Sequence, residues 1–206
     1  MLQYEIALWQ SGVKHVAGVD EVGAGPLAGP VLAAAVILSA DTRIEGINDS
    51  KLLSALQRQR LAEQIRERAV AFALGSCSPE EIDTLNILQA SRQAMRRAVG
   101  ALQVAPDHLL VDARRVPDVS MPQTPIIKGD TQSQCIAAAS IIAKVARDAL
   151  MEQLAEVYPG YGFERHRGYG TRQHLEALKR LGPCAIHRHS FSPVAASRAA
   201  HATQPA

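Results

Sequence analysis

The sequence of 206 residues is poor in several things, and each shortage excludes something. Aromatic residues make up 4%, too few to floor a groove with stacking platforms, which argues against a single-strand-binding module. There are three cysteines, Cys77, Cys135 and Cys184, with no C-x-x-C pair. That spacing supports neither a disulfide framework nor a zinc knuckle and points to a reduced, cytoplasmic setting. No uncharged apolar run approaches the roughly 18 residues of a membrane span. The opening MLQYEIALWQSGVKH lacks the basic-then-apolar order of a secretory signal. A Walker phosphate loop, an HExxH helix, an internal repeat and a low-complexity block are all missing. What remains is 47% hydrophobic and 20% charged, the make-up of a globular chain long enough to bury a core without staples.

The net charge of +2 hides an asymmetry. From Tyr161 onward there are seven Lys/Arg against two Glu, a net of +5, whereas residues 1–160 carry fifteen against eighteen, a net of −3. Five of the seven histidines also follow Tyr161. A basic end beside an acidic body suits a polyanionic partner held near a site that needs carboxylates, although a solvated helix face accounts for the charge equally well.

Apolar runs and turn residues predict the elements. His15–Asp20 reads as a short strand ending in acids, Glu21–Pro30 as a Gly/Pro-rich turn, and Val31–Leu38 as a buried strand. An amphipathic helix is expected over Leu52–Ala69 with Ser54 as a cap, then a strand over Val70–Gly75. Ser78-Pro-Glu-Glu81 has the capping-box pattern with proline at the first helical position. Helices follow over Asn86–Gly100, Ser133–Val157 and Thr171–Leu181. Strands are expected over Leu109–Asp112 and Ile126–Asp130, with Pro117–Pro125 irregular. Tyr158–Gly170 reads as a Gly/Tyr/basic loop and Ser197–Ala206 as a frayed tail. The alternation predicts an α/β fold, a mixed sheet flanked by helices.

Three of these strands end in carboxylates: Asp20 with Glu21, Asp112, and Asp130. Ligands of α/β sheets collect at the carboxyl ends of strands. Acids converging there repel one another unless cations lie between them, and oxygen ligands favour Mg²⁺ or Mn²⁺. Two such ions can activate a water and stabilise the leaving oxygen of a phosphodiester. Single strand-end acids are more often ordinary turn and cap residues, and the spacing alone does not bring these four together. The turn Gly23-Ala-Gly25 lets backbone approach a ligand closely. A dinucleotide loop fits it badly: the last glycine spacing is one residue too long, Pro26 and Pro30 remove N–H groups, and two neighbouring acids repel a pyrophosphate.

The segment Gly18-Val-Asp-Glu-Val-Gly-Ala-Gly-Pro-Leu-Ala-Gly-Pro30 resembles the opening signature of ribonuclease HII. Asn48-Asp-Ser-Lys51, Leu110-Val-Asp112, Lys128-Gly-Asp130, Ala138–Asp148, His166-Arg-Gly-Tyr-Gly-Thr171 and Ile186-His-Arg-His-Ser-Phe191 resemble its later motifs in the same order, covering about residues 15–194. The resemblance implies a ribonuclease H-like fold with a small helical C-terminal part. It implies a metal-dependent endonuclease that hydrolyses RNA in RNA–DNA hybrids and cuts 5′ of ribonucleotides in duplex DNA, leaving 3′-hydroxyl and 5′-phosphate ends. On it, Asp20, Glu21, Asp112 and Asp130 are the catalytic carboxylates that bind Mn²⁺ or Mg²⁺, in a two-metal arrangement. Gly23, Ala24 and Gly25 contact the ribose 2′-hydroxyl, Tyr169 stacks at the RNA–DNA junction, and Lys51 meets a phosphate. The expected organisation is one catalytic domain over 1–196, its part from about 158 to 196 basic and substrate-binding, with a flexible tail at 197–206. Substrates are hybrids and ribonucleotide-containing duplexes, and the protein is expected to be a monomer away from membranes.

The sequence departs from that family at two places. Ala24 stands where the family usually has arginine, and Ala113 where it usually has glycine after the third acid. A positive φ at Ala113 would be strained. Ser140 is expected to bond backbone one turn earlier, and Arg147 and Asp148 to pair with their neighbours. An inactive hybrid-binding protein and a nicotinamide-dependent oxidoreductase are the alternative readings.

Overall fold

Two apolar strands, VAGVDEV and VLAAAVI, form the centre of the sheet because they are buried on both faces. The computed structural model describes residues 1–47, 50 and 53–202. In chain order its elements are α1 (Gln3–Gln10), β1 (Val16–Val22), β2 (Val31–Ile37), α2 (Ala55–Arg68), β3 (Ala71–Cys77), α3 (Pro79–Leu85) and α4 (Ile87–Gly100). They continue with β4 (His108–Asp112), β5 (Gln123–Ile126), a 3₁₀ turn (Gly129–Thr131), α5 (Gln134–Val157), α6 (Phe163–His166), α7 (Arg172–Leu181) and α8 (Ser192–Ala202).

The sheet runs β3-β2-β1-β4-β5. β1 is antiparallel to β2, with Asp20 opposite Ala34, and parallel to β4, with Val19 beside Val111. β4 is parallel to β5, with Asp112 beside Ile126. The sheet is therefore mixed, and helices flank it, as the alternation of elements predicts.

Contacts divide the chain into two units. The first comprises Met1–Val22, Leu32–Ser76 and Ser91–Val145. Its core packs Ala34 and Val36 of β2, Leu38 just after it, and Leu61 and Ile65 of α2 with the small residues Ala138, Ala139 and Ala143 of α5. The start of α5 lies so close to β1 that a Cβ on Gly18 would stand 2.0 Å from the Cys135 carbonyl carbon, so glycine is required there. The second unit comprises Gly23–Val31, Cys77–Ala90 and Ala146–Ala206. Tyr161 and Phe163 stack there at 5.2 Å, inside a cluster with Ala28, Met151 and Ala177.

Several boundaries differ from the sequence reading for identifiable reasons. The strand expected over Ile126–Asp130 ends at Ile126, because Lys128 turns into the left-handed region at φ 54° and Asp130 enters the 3₁₀ turn. The stretch expected to be irregular contains most of β5, including Pro125, which an edge strand tolerates. The tail expected to fray from Ser197 continues as helix to Ala202. α1 has no marked apolar stripe to announce it and is anchored by the buried Glu5, which accepts from Ser133 Oγ at 2.6 Å and Cys135 N at 3.0 Å. The Ser78 capping box forms as expected, with Pro79 opening α3, and Ser54 caps α2. Among the described residues, no helix is long and apolar enough to cross a membrane.

Candidate active site

The acids of the first unit are positioned by the sheet. Asp20 and Glu21 close β1, and Asp112 closes the neighbouring parallel strand β4. Asp20 is buried, at 6% exposure, and its carboxyl is held well above the usual carboxylate range. Burial is the largest cause, and the charges of Glu21 and then Asp112 push in the same direction. Opposing them are hydrogen bonds from Ser140 and from the Glu21 N–H, the latter at 2.7 Å. Asp112 Oδ1 accepts from Gly129 N at 2.7 Å, which ties the 3₁₀ turn carrying the buried Asp130 to the end of β4.

Asp20, Glu21 and Asp112 thus stand within electrostatic reach of one another, and the Gly129 contact links Asp130's turn to the third acid. Among the described residues no three His, Cys, Asp or Glu side chains close into a ready-made metal cage. The donor set still suits a hard divalent cation. Every group is an oxygen, and Mg²⁺ commonly takes one or two carboxylates and fills its shell with water and substrate phosphate. Mutual repulsion on a buried carboxylate is also what such a cation relieves.

The glycine turn belongs to the second unit. Gly23 has φ 88°, open to glycine at little cost. Two fully buried arginines hold the carbonyls of this turn. Arg188 donates from Nη2 to Gly23 O at 2.6 Å, from Nη1 to Ala24 O at 2.9 Å and from Nε to Gly29 O at 3.0 Å. Arg147 donates from Nε to Pro30 O at 3.1 Å, from Nη2 to Ala28 O at 3.2 Å and from Nη1 to Arg167 O at 3.0 Å. A Cβ on Gly23 would stand 2.2 Å from Arg147 Nε. Burial lowers both guanidinium pKa values, that of Arg188 to about 9 with Arg147 as the next cause. No helix follows the glycines; the next element is β2, which removes the dinucleotide-loop reading.

Tyr169 lies on the surface at 42% exposure, and a Cβ on Gly25 would stand 3.7 Å from its ring. Its backbone is fixed from below. The Tyr169 carbonyl lies 2.9 Å from His174 Nδ1, His174 Nε2 lies 3.0 Å from His187 Nε2, and His166 stacks on His174 at 4.5 Å. Burial, as the leading cause, lowers the pKa of His174 and of His187 to about 4, so both rings are neutral at pH 7.

Lys51, with Asn48 and Asp49 of the same motif, lies outside the described residues. Ser140, expected to bond backbone one turn earlier, bonds side chains among the described residues: its hydroxyl lies 2.9 Å from Ser50 Oγ and bonds Asp20. Arg147 holds backbone carbonyls, while Asp148 pairs with Arg167 Nε at 3.9 Å. Ala113, next after Asp112, has φ 54°, the left-handed conformation that its Cβ makes costly. Reading the sequence alone missed Arg188. A signal for it existed, because Gly23–Pro30 is rich in small residues and proline and cannot satisfy its own carbonyls locally, so donors must come from elsewhere.

A family model described as Ribonuclease HII matches residues 17–194. Ribonuclease HII of Anaeromyxobacter sp. (strain Fw109-5) is 57% identical over 194 residues, which are 94% of this chain and 62% of that protein. Ribonuclease HII of Desulfitobacterium hafniense (strain Y51) is 54% identical over 194 residues, 94% of this chain and 75% of that protein. The chain thus spans less than two thirds of the first relative and three quarters of the second. The crystal structure of the ribonuclease H2 from Pyrococcus horikoshii OT3 is similar at a TM-score of 0.78 and 25% identity, covering 92% of this chain and all of that one.

Proposed function

The chain belongs to the ribonuclease HII family and is thereby a type 2 ribonuclease H hydrolase, and from there we propose that it hydrolyses RNA in RNA–DNA hybrids and cuts duplex DNA 5′ of embedded ribonucleotides, leaving 3′-hydroxyl and 5′-phosphate ends. The observation that carries this reading is the placing of Asp20, Glu21 and Asp112 at the ends of two parallel strands, where burial first, and then the charges of Glu21 and Asp112, disfavour the Asp20 anion. Such an arrangement costs stability and has a use only where cations and a polyanion meet it.

Asp20, Glu21, Asp112 and Asp130 would hold the divalent cations, Mg²⁺ or Mn²⁺. When bound, these supply the charge that activates water and offsets charge on the leaving oxygen of a phosphodiester. The protein's own groups do the rest. Ser140 and the Glu21 N–H orient the Asp20 carboxylate, and the Gly129 N–H orients that of Asp112.

In the second unit, Gly23, Ala24 and Gly25 offer backbone to a ribose 2′-hydroxyl, the group that separates RNA from DNA whatever the base. Tyr169 presents an exposed ring for stacking at the junction. Lys51 and the exposed basic residues after Tyr161 meet phosphates, which position a duplex without reading its sequence. Two metal ions, a monomeric protein and a cytoplasmic setting complete the proposal.

The test is end-labelled cleavage of duplex DNA carrying one ribonucleotide, beside an all-DNA duplex, with Mg²⁺, Mn²⁺ or chelator. The expected result is a metal-dependent cut 5′ of the ribonucleotide and none in the control. Binding without cutting in either metal would overturn the enzymatic reading and leave an inactive hybrid-binding protein.

A further inference from the structure

Buried arginines normally sit opposite carboxylates, because leaving a charge in the interior without a partner is costly. Arg188 is fully buried, yet among the described residues its guanidinium hydrogen-bonds to carbonyls alone, those of Gly23, Ala24 and Gly29. Its backbone N–H also takes the Leu27 carbonyl at 2.9 Å. The guanidinium rests 5.2 Å from the centre of the Phe191 ring, and Asp83 fixes the chain just beyond it by accepting from His189 N and Ser190 N, both at 2.8 Å.

The consequence is a polarity. A glycine turn has both N–H and C=O groups to offer, and a hydroxyl can pair with either. Here the carbonyls of Gly23 and Ala24 are consumed from below. Among the described residues, nothing bonds the backbone N–H of Ala24 or Gly25, and Gly25 is exposed. Pro26 brings no N–H of its own. The free face at Ala24 and Gly25 therefore leads with donors.

We propose that Arg188 is a positioning residue for ribose recognition: by taking the carbonyls of Gly23 and Ala24, it turns their peptide units so that the Ala24 and Gly25 N–H groups face the 2′-oxygen. This rests on the reading of the turn as the ribose site. It also explains how the turn keeps its shape with Ala24 in place of arginine, since the guanidinium that sets it comes from the closing motif and touches Ala24 through the backbone carbonyl, not the side chain.

The test measures binding, so it stands apart from catalysis. Fluorescence anisotropy in chelator gives the affinity for duplex DNA with one ribonucleotide and for the matching all-DNA duplex, and their ratio is the ribose preference. Arg188→Lys keeps the charge and loses the planar fork. It should cut the preference about 10-fold or more, the scale of a charge-assisted hydrogen bond, with all-DNA affinity unchanged. A merely structural role would lower both affinities together. If Arg188→Lys does not fold, Phe191→Leu, which removes the ring under the guanidinium, should cut the preference about 2- to 3-fold by the same logic. Gly25→Ala tests the underlying reading, because its methyl group has room at 3.7 Å from Tyr169 and the backbone there is not left-handed. If Gly25→Ala leaves the preference intact, the ribose-site reading falls and the proposal with it. If Gly25→Ala lowers the preference but the folded Arg188→Lys or Phe191→Leu variant does not, the reading stands and the role of Arg188 is overturned.

Discussion

Ser50 and Ser140, ninety residues apart in the chain, meet hydroxyl to hydroxyl at 2.9 Å, and Ser140 in turn bonds Asp20. When Asp20 is ionised its carboxylate only accepts, so in that state Ser140 donates to Asp20 and receives from Ser50. Ser140→Ala should lower kcat about 10-fold, the scale of one hydrogen bond to a charged group, with KM little changed. Ser50→Ala should cost less, and the double variant no more than Ser140→Ala, since the two act in series. Additive losses in the steady-state kinetics would show that the hydroxyls act independently.

Asp20 should trade stability for function. Its ionised form is disfavoured in the folded protein, so its contribution is favourable at low pH and is lost as pH rises through the raised folded-state value. Asp20→Asn removes that penalty at pH 7. It should raise Tm while lowering cleavage at least about 100-fold, as loss of an electrostatic group at a reaction centre does. Calorimetry and the cleavage assay check the two halves separately, and a lower Tm in a folded variant would contradict the burial argument.

Divalent cations should stabilise the wild-type protein by mass action. A thermal-shift titration with Mn²⁺ should raise Tm, and the rise should vanish in Asp112→Asn and reverse on adding chelator. An undiminished shift in that variant would place the cation elsewhere.

Acid should loosen the seat of Tyr169. His174 and His187 titrate at about 6.5 when unfolded and at about 4 when folded. Between those values the unfolded chain binds more protons, so stability rises with pH there. It is fully present above about pH 6.5 and falls towards pH 4, by a few kcal/mol in all on the scale of about 1.4 kcal/mol per pKa unit. Urea unfolding across this range measures the slope, which His174→Gln should flatten by about half.

Ala113 should be a removable strain. A left-handed alanine costs on the order of 1–2 kcal/mol, and glycine returns part of that as extra freedom in the unfolded chain. Ala113→Gly should raise Tm by about 2 °C. A lower Tm would mean that the methyl group makes contacts worth more than the strain.

Much of this molecule was legible before its structure. Apolar runs located β1 and β2 because strands buried on both faces must be continuous. Ser78 announced α3 because a capping box satisfies helix N–H groups by purely local bonds. The acid pair at the end of β1 and the glycines after it were equally visible. The details that depend on distant partners were not. Pro125 hid an edge strand, Asp130 left its strand because Gly129 is drawn to Asp112, and Ser140 found a side chain from a remote loop instead of its own helix. Arg188 was the largest omission, since its value lies in carbonyls more than 150 residues away in the chain.

The sheet order also sets a timetable for the nascent chain. Asp20 is made long before Asp112, on a strand whose parallel partner pairs Val19 with Val111. Parallel strands need such a long crossover, and long-range pairings form late. Until β4 has been made, the acid pair has no Asp112 beside it and the strand lacks one of its neighbours. A product stalled before His108 would carry the opening motif intact and still lack Asp112, so the carboxylate cluster is complete only once β4 has been made.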